Sequence, residues 1–343
     1  MTQSNGSSHA QPKWPNGPGV PLTTPFKPGN DEIDHEALAS QVVRCAKAGL
    51  SIVLMGTTGE ASMMSNAERK AAAATGRKAL DEAGLKDAPL CVGTGGGSAQ
   101  TTIELCKEAA EAGASHALVI CPGYFAFAMG QQRQAILGFF KAVFDKSPIP
   151  VMIYNFPGAA SGIDLTAEEI CELAEHPNCF GVKLTCGNIG KGTRVALYTS
   201  SPEFLKRRGE VLKKHTETGQ FQIGPGFVDT LLPALTARHT MCITSTGCLF
   251  PKTIRKLYLT AVKGLEGDMK SFQEARVLQD RLARADGISV ATSFVGNKFF
   301  LDHYISKGLG GECRLPLAPI TDATKKRVIE EFAEDWEFEQ SLP

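Results

Sequence analysis

The chain has 343 residues, 43% of them hydrophobic, and its 36 basic residues balance its 36 acidic ones. That length suits one large domain or two ordinary ones, and zero net charge gives no general attraction for nucleic acid or an anionic membrane. No apolar run approaches the ~20 residues of a membrane span, and the ten cysteines are scattered with no CxxC pair, which points to a reducing compartment, the cytosol.

Residues 1–18 are polar and rich in Pro and Gly. They lack the apolar stretch of a signal peptide and the Arg-rich pattern of a transit peptide, and are expected to form a disordered tail. A first short strand is expected over Gly19–Phe26. Asp34 then caps a helix in which Leu38, Val42, Cys45 and Gly49 recur at helical spacing. Strands are expected at 51–58, 89–95, 116–121 and 150–155, then at Phe180–Gly187, 221–224 and 240–245. Between them lie helices opened by capping boxes at Ser65–Glu68, Thr101–Glu104 and Thr166–Glu169. A helix from about residue 131 follows the fourth strand. Ser200-Ser201-Pro202 splits the long helical stretch after the sixth, and Pro251 starts the helix after the eighth. Beyond Gly267 the pattern is helical in about three pieces, with breaks near Gly287 and Pro316–Pro319.

Strand and helix alternate eight times at roughly 30 residues per unit, the size of a βαβ repeat. The pattern predicts an α/β protein. Residues 19–265 are expected to close into a (β/α)8 barrel, followed by a C-terminal helical region over 266–343. An open doubly wound sheet is the rival. Its support is Gly93-Thr94-Gly95-Gly96-Gly97, which does not fit GxGxxG and follows the third strand rather than the first. It is better taken as a tight turn beside a site.

The sixth strand carries the chemistry. In Gly181-Val182-Lys183-Leu184-Thr185 alternate side chains share a face, so Lys183 lies between Gly181 and Thr185 on one side of an apolar strand. Burying an ammonium without a nearby carboxylate is costly. A desolvated lysine is more readily neutral, and a neutral amine can attack a carbonyl to form a Schiff base. The bland alternative is a lysine at a strand end reaching water.

In a (β/α)8 barrel the active site lies at the C-terminal ends of the strands. Those ends bring Thr57 and Thr58 from the second strand, Tyr124 after the fourth, Tyr154 from the fifth, and Lys183 and Thr185 from the sixth. An amine, a phenol to move protons and hydroxyls to hold a carboxylate are what Schiff-base chemistry needs. Taken singly, Tyr154 could be an ordinary amphipathic residue and the threonine pair a turn cap. The seven histidines form no HxH or HxxxH pair, so a metal-dependent aldolase finds no support in ligand spacing.

With these residues in view, the chain resembles the dihydrodipicolinate synthase / N-acetylneuraminate lyase family of class I aldolases. The motifs that carry the resemblance are Thr24-Pro25-Phe26, Gly56-Thr57-Thr58-Gly59-Glu60 with Ser65 and Glu68-Arg69 behind it, Tyr154-Asn155-Phe156-Pro157, and Gly181-Val182-Lys183. Their order matches from about residue 19 to 310.

The resemblance implies a TIM barrel, a pyruvate Schiff base on Lys183, and Tyr154 as proton shuttle. It implies Thr57 as a relay toward Tyr124, which reaches into a neighbouring subunit's site, and Thr57 with Thr58 as carboxylate holders. Thr185, Gly226, Ile243 and Ser245 are the remaining expected substrate contacts. The family uses no metal and no organic cofactor. Its partners are a keto acid, pyruvate, and an aldehyde, and its members assemble as homodimers or dimers of dimers.

Three departures shape the expected substrate. After Tyr-Asn-x-Pro, dihydrodipicolinate synthases have a Ser-Arg whose guanidinium holds aspartate semialdehyde. Here Gly158-Ala159-Ala160-Ser161-Gly162 has no Arg. Cys248 stands where many relatives have Asn, and Val228 where the lyase branch has a sugar-binding acid. With Lys183-Leu184-Thr185-Cys186-Gly187-Asn188, the chain looks most like fungal-type 2-keto-3-deoxy sugar acid aldolases. The implied reaction splits a substrate such as 2-keto-3-deoxy-L-galactonate into pyruvate and an aldehyde such as glyceraldehyde. A 4-hydroxy-2-oxoglutarate aldolase, releasing glyoxylate, would need a cation at the mouth, for which Lys191 or Arg194 is placed. A dihydrodipicolinate synthase ranks next. A non-catalytic barrel paralogue has the unusual strand-eight loop in its favour and the intact Lys-Tyr-Thr set against it.

Overall fold

The computed structural model describes residues 11–29, 32–129 and 132–343. Eight strands follow one another in the chain: β1 (Gly17–Pro21), β2 (Ser51–Leu54), β3 (Leu90–Gly93), β4 (His116–Ile120), β5 (Val151–Asn155), β6 (Cys179–Leu184), β7 (Gln222–Pro225) and β8 (Met241–Ile243). Every ladder is parallel, and the order runs β7-β6-β5-β4-β3-β2-β1-β8. The ends of that order meet. The Thr240 N–H donates to the Ile223 carbonyl at 2.9 Å, and the Ile223 N–H donates to the Thr240 hydroxyl at 3.0 Å. Gly224 makes this approach feasible, since a Cβ there would fall 2.3 Å from the Met241 carbonyl oxygen. The result is the (β/α)8 barrel expected from the alternation, with strands buried on both faces.

The covering helices are α1 (His35–Lys47), α2 (Asn66–Glu82), α3 (Ala99–Glu111), the short α4 (Ala126–Met129), α5 (Arg133–Lys146), α6 (Ala167–Ala174), α7 (Ile189–Thr199), α8 (Pro202–His215), α9 (Leu231–Thr236) and α10 (Pro251–Leu265). Two long helices, α11 (Met269–Phe300) and α12 (Asp322–Ser341), follow the barrel.

Asp34 accepts from the Glu36 and Ala37 N–H groups, and the boxes at Ser65–Glu68 and Thr166–Glu169 are both reciprocal. The third box is misplaced in the sequence reading. Ser98 caps α3 by accepting from the Thr101 N–H at 3.1 Å, so Thr101 is already inside the helix. The break expected near Gly287 is also displaced. α11 runs through that glycine, whose cost in a helix interior is only ~1 kcal/mol, and is interrupted at Ser293, where φ is +61°.

The tail expected over 1–18 needs correction. Residues 1–10 lie outside the described residues, but β1 starts at Gly17 and Trp14 is fully buried. Its indole packs on His116 and Phe180, at ring separations of 5.6 and 6.0 Å. Its backbone N–H donates to the His215 carbonyl, and its carbonyl accepts from Glu217. Burying an indole outweighs the Pro-rich composition around it.

Candidate active site

Lys183 sits on β6 in register with Tyr154 on β5 and Gly224 on β7. Its side chain is 4% exposed, and its Nζ stands 4.5 Å from the centroid of the Tyr154 ring. The strand-end reading, with the ammonium in water, is therefore overturned. Among the described residues no carboxylate lies within ion-pair distance of Lys183. The amine points into the barrel. It is close enough to the thiols of Cys91 on β3 and Cys242 on β8 to act electrostatically against the burial that pushes both thiols up.

Tyr154 is 6% exposed and stacks on Phe156 at 5.7 Å. It also borders a cavity of about 200 Å3 at the ends of β2 to β5, whose wall includes Thr57, Arg69, Gly95, Ile120 and Ala159. Its volume is below the ~300–1,000 Å3 usual for small-molecule pockets. Thr57 is exposed into this space and Thr58 is buried beside it. The turn that holds them is flanked by Met55 and Glu60, both with φ of +55°, a left-handed conformation that costs non-glycine residues energy and clusters at functional sites.

On the opposite wall, Thr185 Oγ1 is buried with no hydrogen-bond partner among the described residues. Gly226 lies against it, and a Cβ there would fall 2.0 Å from that oxygen. Ile243 ends β8 and is fully buried, and Ser245 begins the 3-10 turn that follows. Thr57 and Tyr154 thus border one cavity, Tyr154 meets Lys183, and Thr185, two residues further along the same strand, lies against Gly226. Tyr124 does not join them within the chain. It is 83% exposed and packs edge-on against Phe125 at 5.0 Å.

Lys191 does not serve as a cation at the mouth. It is buried and ion-paired with Asp164, which also accepts from Asn155 Nδ2 at 2.7 Å. Arg194 stays on the surface. The loop after Pro157 carries no arginine, and nearby Arg133 is held by Glu169.

Two site residues escaped the sequence reading. Arg69 on α2 lines the Tyr154 cavity with its Nη2 donating to the Gly93 carbonyl at 2.7 Å. It stands within the Glu68-Arg69 motif, which was its only signal. Asp286 on α11 is almost fully buried behind the β8 loop, accepting from the hydroxyls of Thr246 and Thr244, and burial pushes its carboxyl up to about 6. Nothing local in the sequence marks it.

The chain is similar to known proteins over nearly its whole length. An L-threo-3-deoxy-hexylosonate aldolase of Aspergillus niger is 36% identical over 340 residues, covering 97% of this chain and 99% of its own. An Emericella nidulans protein named as a mitochondrial 4-hydroxy-2-oxoglutarate aldolase is 34% identical, covering 95% and 97%. Among solved structures, a dihydrodipicolinate synthase family protein from Coccidioides immitis superposes with a TM-score of 0.79 at 29% identity, covering 97% of this chain and 99% of that one. The model of the Dihydrodipicolinate synthetase family matches residues 16–334, a span that holds all eight strands, Lys183 and Tyr154. The chain belongs to the dihydrodipicolinate synthetase family.

Proposed function

We propose that the chain is a Schiff-base aldolase that cleaves a 2-keto-3-deoxy sugar acid into pyruvate and an aldehyde such as glyceraldehyde. The observation that carries this reading is Lys183: a buried amine with no acidic partner among the described residues, in contact with the Tyr154 ring.

The Lys183 amine adds to the substrate C2 carbonyl, and loss of water leaves an iminium. Tyr154 moves the protons of both events. The C4 hydroxyl then gives up its proton, the C3–C4 bond breaks to release the aldehyde, and its electron pair becomes the enamine. Protonation of C3 and hydrolysis return pyruvate and the free amine. Thr57 and Thr58 hold the carboxylate, with Thr185 Oγ1 and the backbone at Gly226, Ile243 and Ser245 around the remaining oxygens. Tyr124 acts from a neighbouring copy of the chain. Its exposure beside Phe125 and Phe127 is the reason for placing an interface there.

A 4-hydroxy-2-oxoglutarate aldolase is the second reading, favoured by the name of the Emericella nidulans relative. The Lys191–Asp164 pair weighs against it, because one of the two cations expected to meet glyoxylate is already engaged and the other, Arg194, is on the surface. The test is synthesis from pyruvate with glyceraldehyde, glyoxylate or aspartate semialdehyde in parallel. A bidentate Arg contact to a carboxylate contributes about 1.5–3 kcal/mol. Without it, kcat/KM should favour glyceraldehyde over aspartate semialdehyde by about 10- to 150-fold. Preference for glyoxylate selects the second reading, and preference for aspartate semialdehyde defeats both.

A further inference from the structure

A cavity of about 710 Å3 lies on the outside of the barrel, between α1, α10 and the end of α12. Six cations line it: Arg44, Lys47, Lys252, Arg255, Lys256 and Lys263. Glu339 is the one acidic side chain in its described wall, which the last residue, Pro343, also borders. The oxygens of Glu339 are engaged at the start of α10, where they accept from the Lys252 and Thr253 N–H groups at 2.9 Å each and from the Thr253 hydroxyl at 2.7 Å. In a chain whose bases and acids balance overall, this is a strong local excess of positive charge.

Three of the six have other engagements. Arg44 donates to the Cys248 carbonyl, Lys252 to the Leu342 carbonyl at 2.7 Å, and Lys256 pairs with Glu274 at 2.9 Å. Lys47, Arg255 and Lys263 have no acid within ion-pair distance among the described residues. Cations crowded in this way repel one another, and an anion seated among them turns the repulsion into attraction. Between the charges the wall is apolar, with Ala48, Leu259 and the half-buried indole of Trp336. The volume falls within the ~300–1,000 Å3 of small-molecule sites.

We propose that this cavity binds an organic polyanion of the nucleotide type, with two or three phosphate charges among Lys47, Arg255 and Lys263 and a flat body against Trp336. The site is separate from the strand-end site and does not depend on the aldolase reading.

The chain has two tryptophans, and Trp14 is fully buried, so quenching by a ligand reports on Trp336. The full chain is titrated with ADP, ATP, inorganic pyrophosphate and adenosine by fluorescence and calorimetry. ADP and ATP should bind one per chain and quench, while pyrophosphate and adenosine bind about ten-fold more weakly or less. Combined Lys47→Gln, Arg255→Gln and Lys263→Gln should weaken ADP by about ten-fold or more. Lys47→Gln alone, at an exposed position, should weaken it in the same direction and serves if the triple variant misfolds. No nucleotide binding up to millimolar concentration, or ADP binding unchanged in the Lys47 variant, overturns the proposal. Pyrophosphate binding as tightly as ADP overturns the assignment of a flat body.

Discussion

Lys298 Nζ lies 2.5 Å from Glu60 Oε1, and neither side chain reaches solvent to more than 3%. The other Glu60 oxygen accepts from the Arg314 N–H at 3.1 Å, and Lys298 also donates to the Glu312 carbonyl. The Phe26 ring carries Lys298 at 4.9 Å and the Arg314 guanidinium at 4.3 Å. This cluster fastens the turn that bears Thr57 and Thr58 to the C-terminal helical region. Glu60 is held in its left-handed conformation by partners more than 200 residues away in sequence.

Breaking a sealed ion pair on one side leaves a buried charge without compensation, at a cost of about 3–5 kcal/mol. Glu60→Gln and Lys298→Met should each lower stability by that amount in urea titrations and should also weaken carboxylate binding at Thr57. A loss under about 1 kcal/mol in both would show the pair to be incidental.

Pyruvate with borohydride should add the mass of a reduced adduct to the peptide that contains Lys183. Lys183→Ala should take up no label and should lose cleavage activity. Labelling at another lysine would remove Lys183 from the mechanism.

Lys183→Ala and Tyr124→Phe should each be impaired alone. Dissociated and reassembled together, they should regain activity, because one site then pairs Lys183 of one copy with Tyr124 of the other. Mixed assemblies that form without recovering activity would confine Tyr124 to its own chain.

The Asp286 carboxyl is raised to about 6 by burial, against ~3.9 in an unfolded chain. The folded state therefore holds this proton more tightly. Its contribution is fully favourable below about pH 4 and is lost as pH rises through 6. Asp286→Asn escapes that loss, so its stability relative to the parent should improve by ~3 kcal/mol between pH 4 and 8. Urea midpoints at the two pH values test this, and a difference that stays constant with pH would refute it.

The barrel was legible because its signals are local: strand and helix periods, capping boxes, and Pro251 and Pro202 at helix starts. Lys183 was legible for the same reason, as a charge within an apolar strand. What escaped depends on distant segments meeting. Asp286 gains meaning only where α11 packs behind β8, and Lys191 looks available until Asp164 is brought to it. Gly287 suggested a break that propensity alone does not enforce, while Ser293 gave no sign of its left-handed backbone. Trp14 was hidden by the prolines and glycines around it.

Trp14 also bears on the order in which the molecule assembles. A ribosome makes it before any strand, yet the groups that bury it belong to β4, β6 and the end of α8. Through most of synthesis its indole has nowhere to dock. A stretch made before the barrel strands is thus among the last to find its place, joined by contacts of long sequence separation that nascent domains form slowly. A chaperone that shields exposed apolar residues would therefore meet this indole on unfinished chains and lose it once α8 is complete.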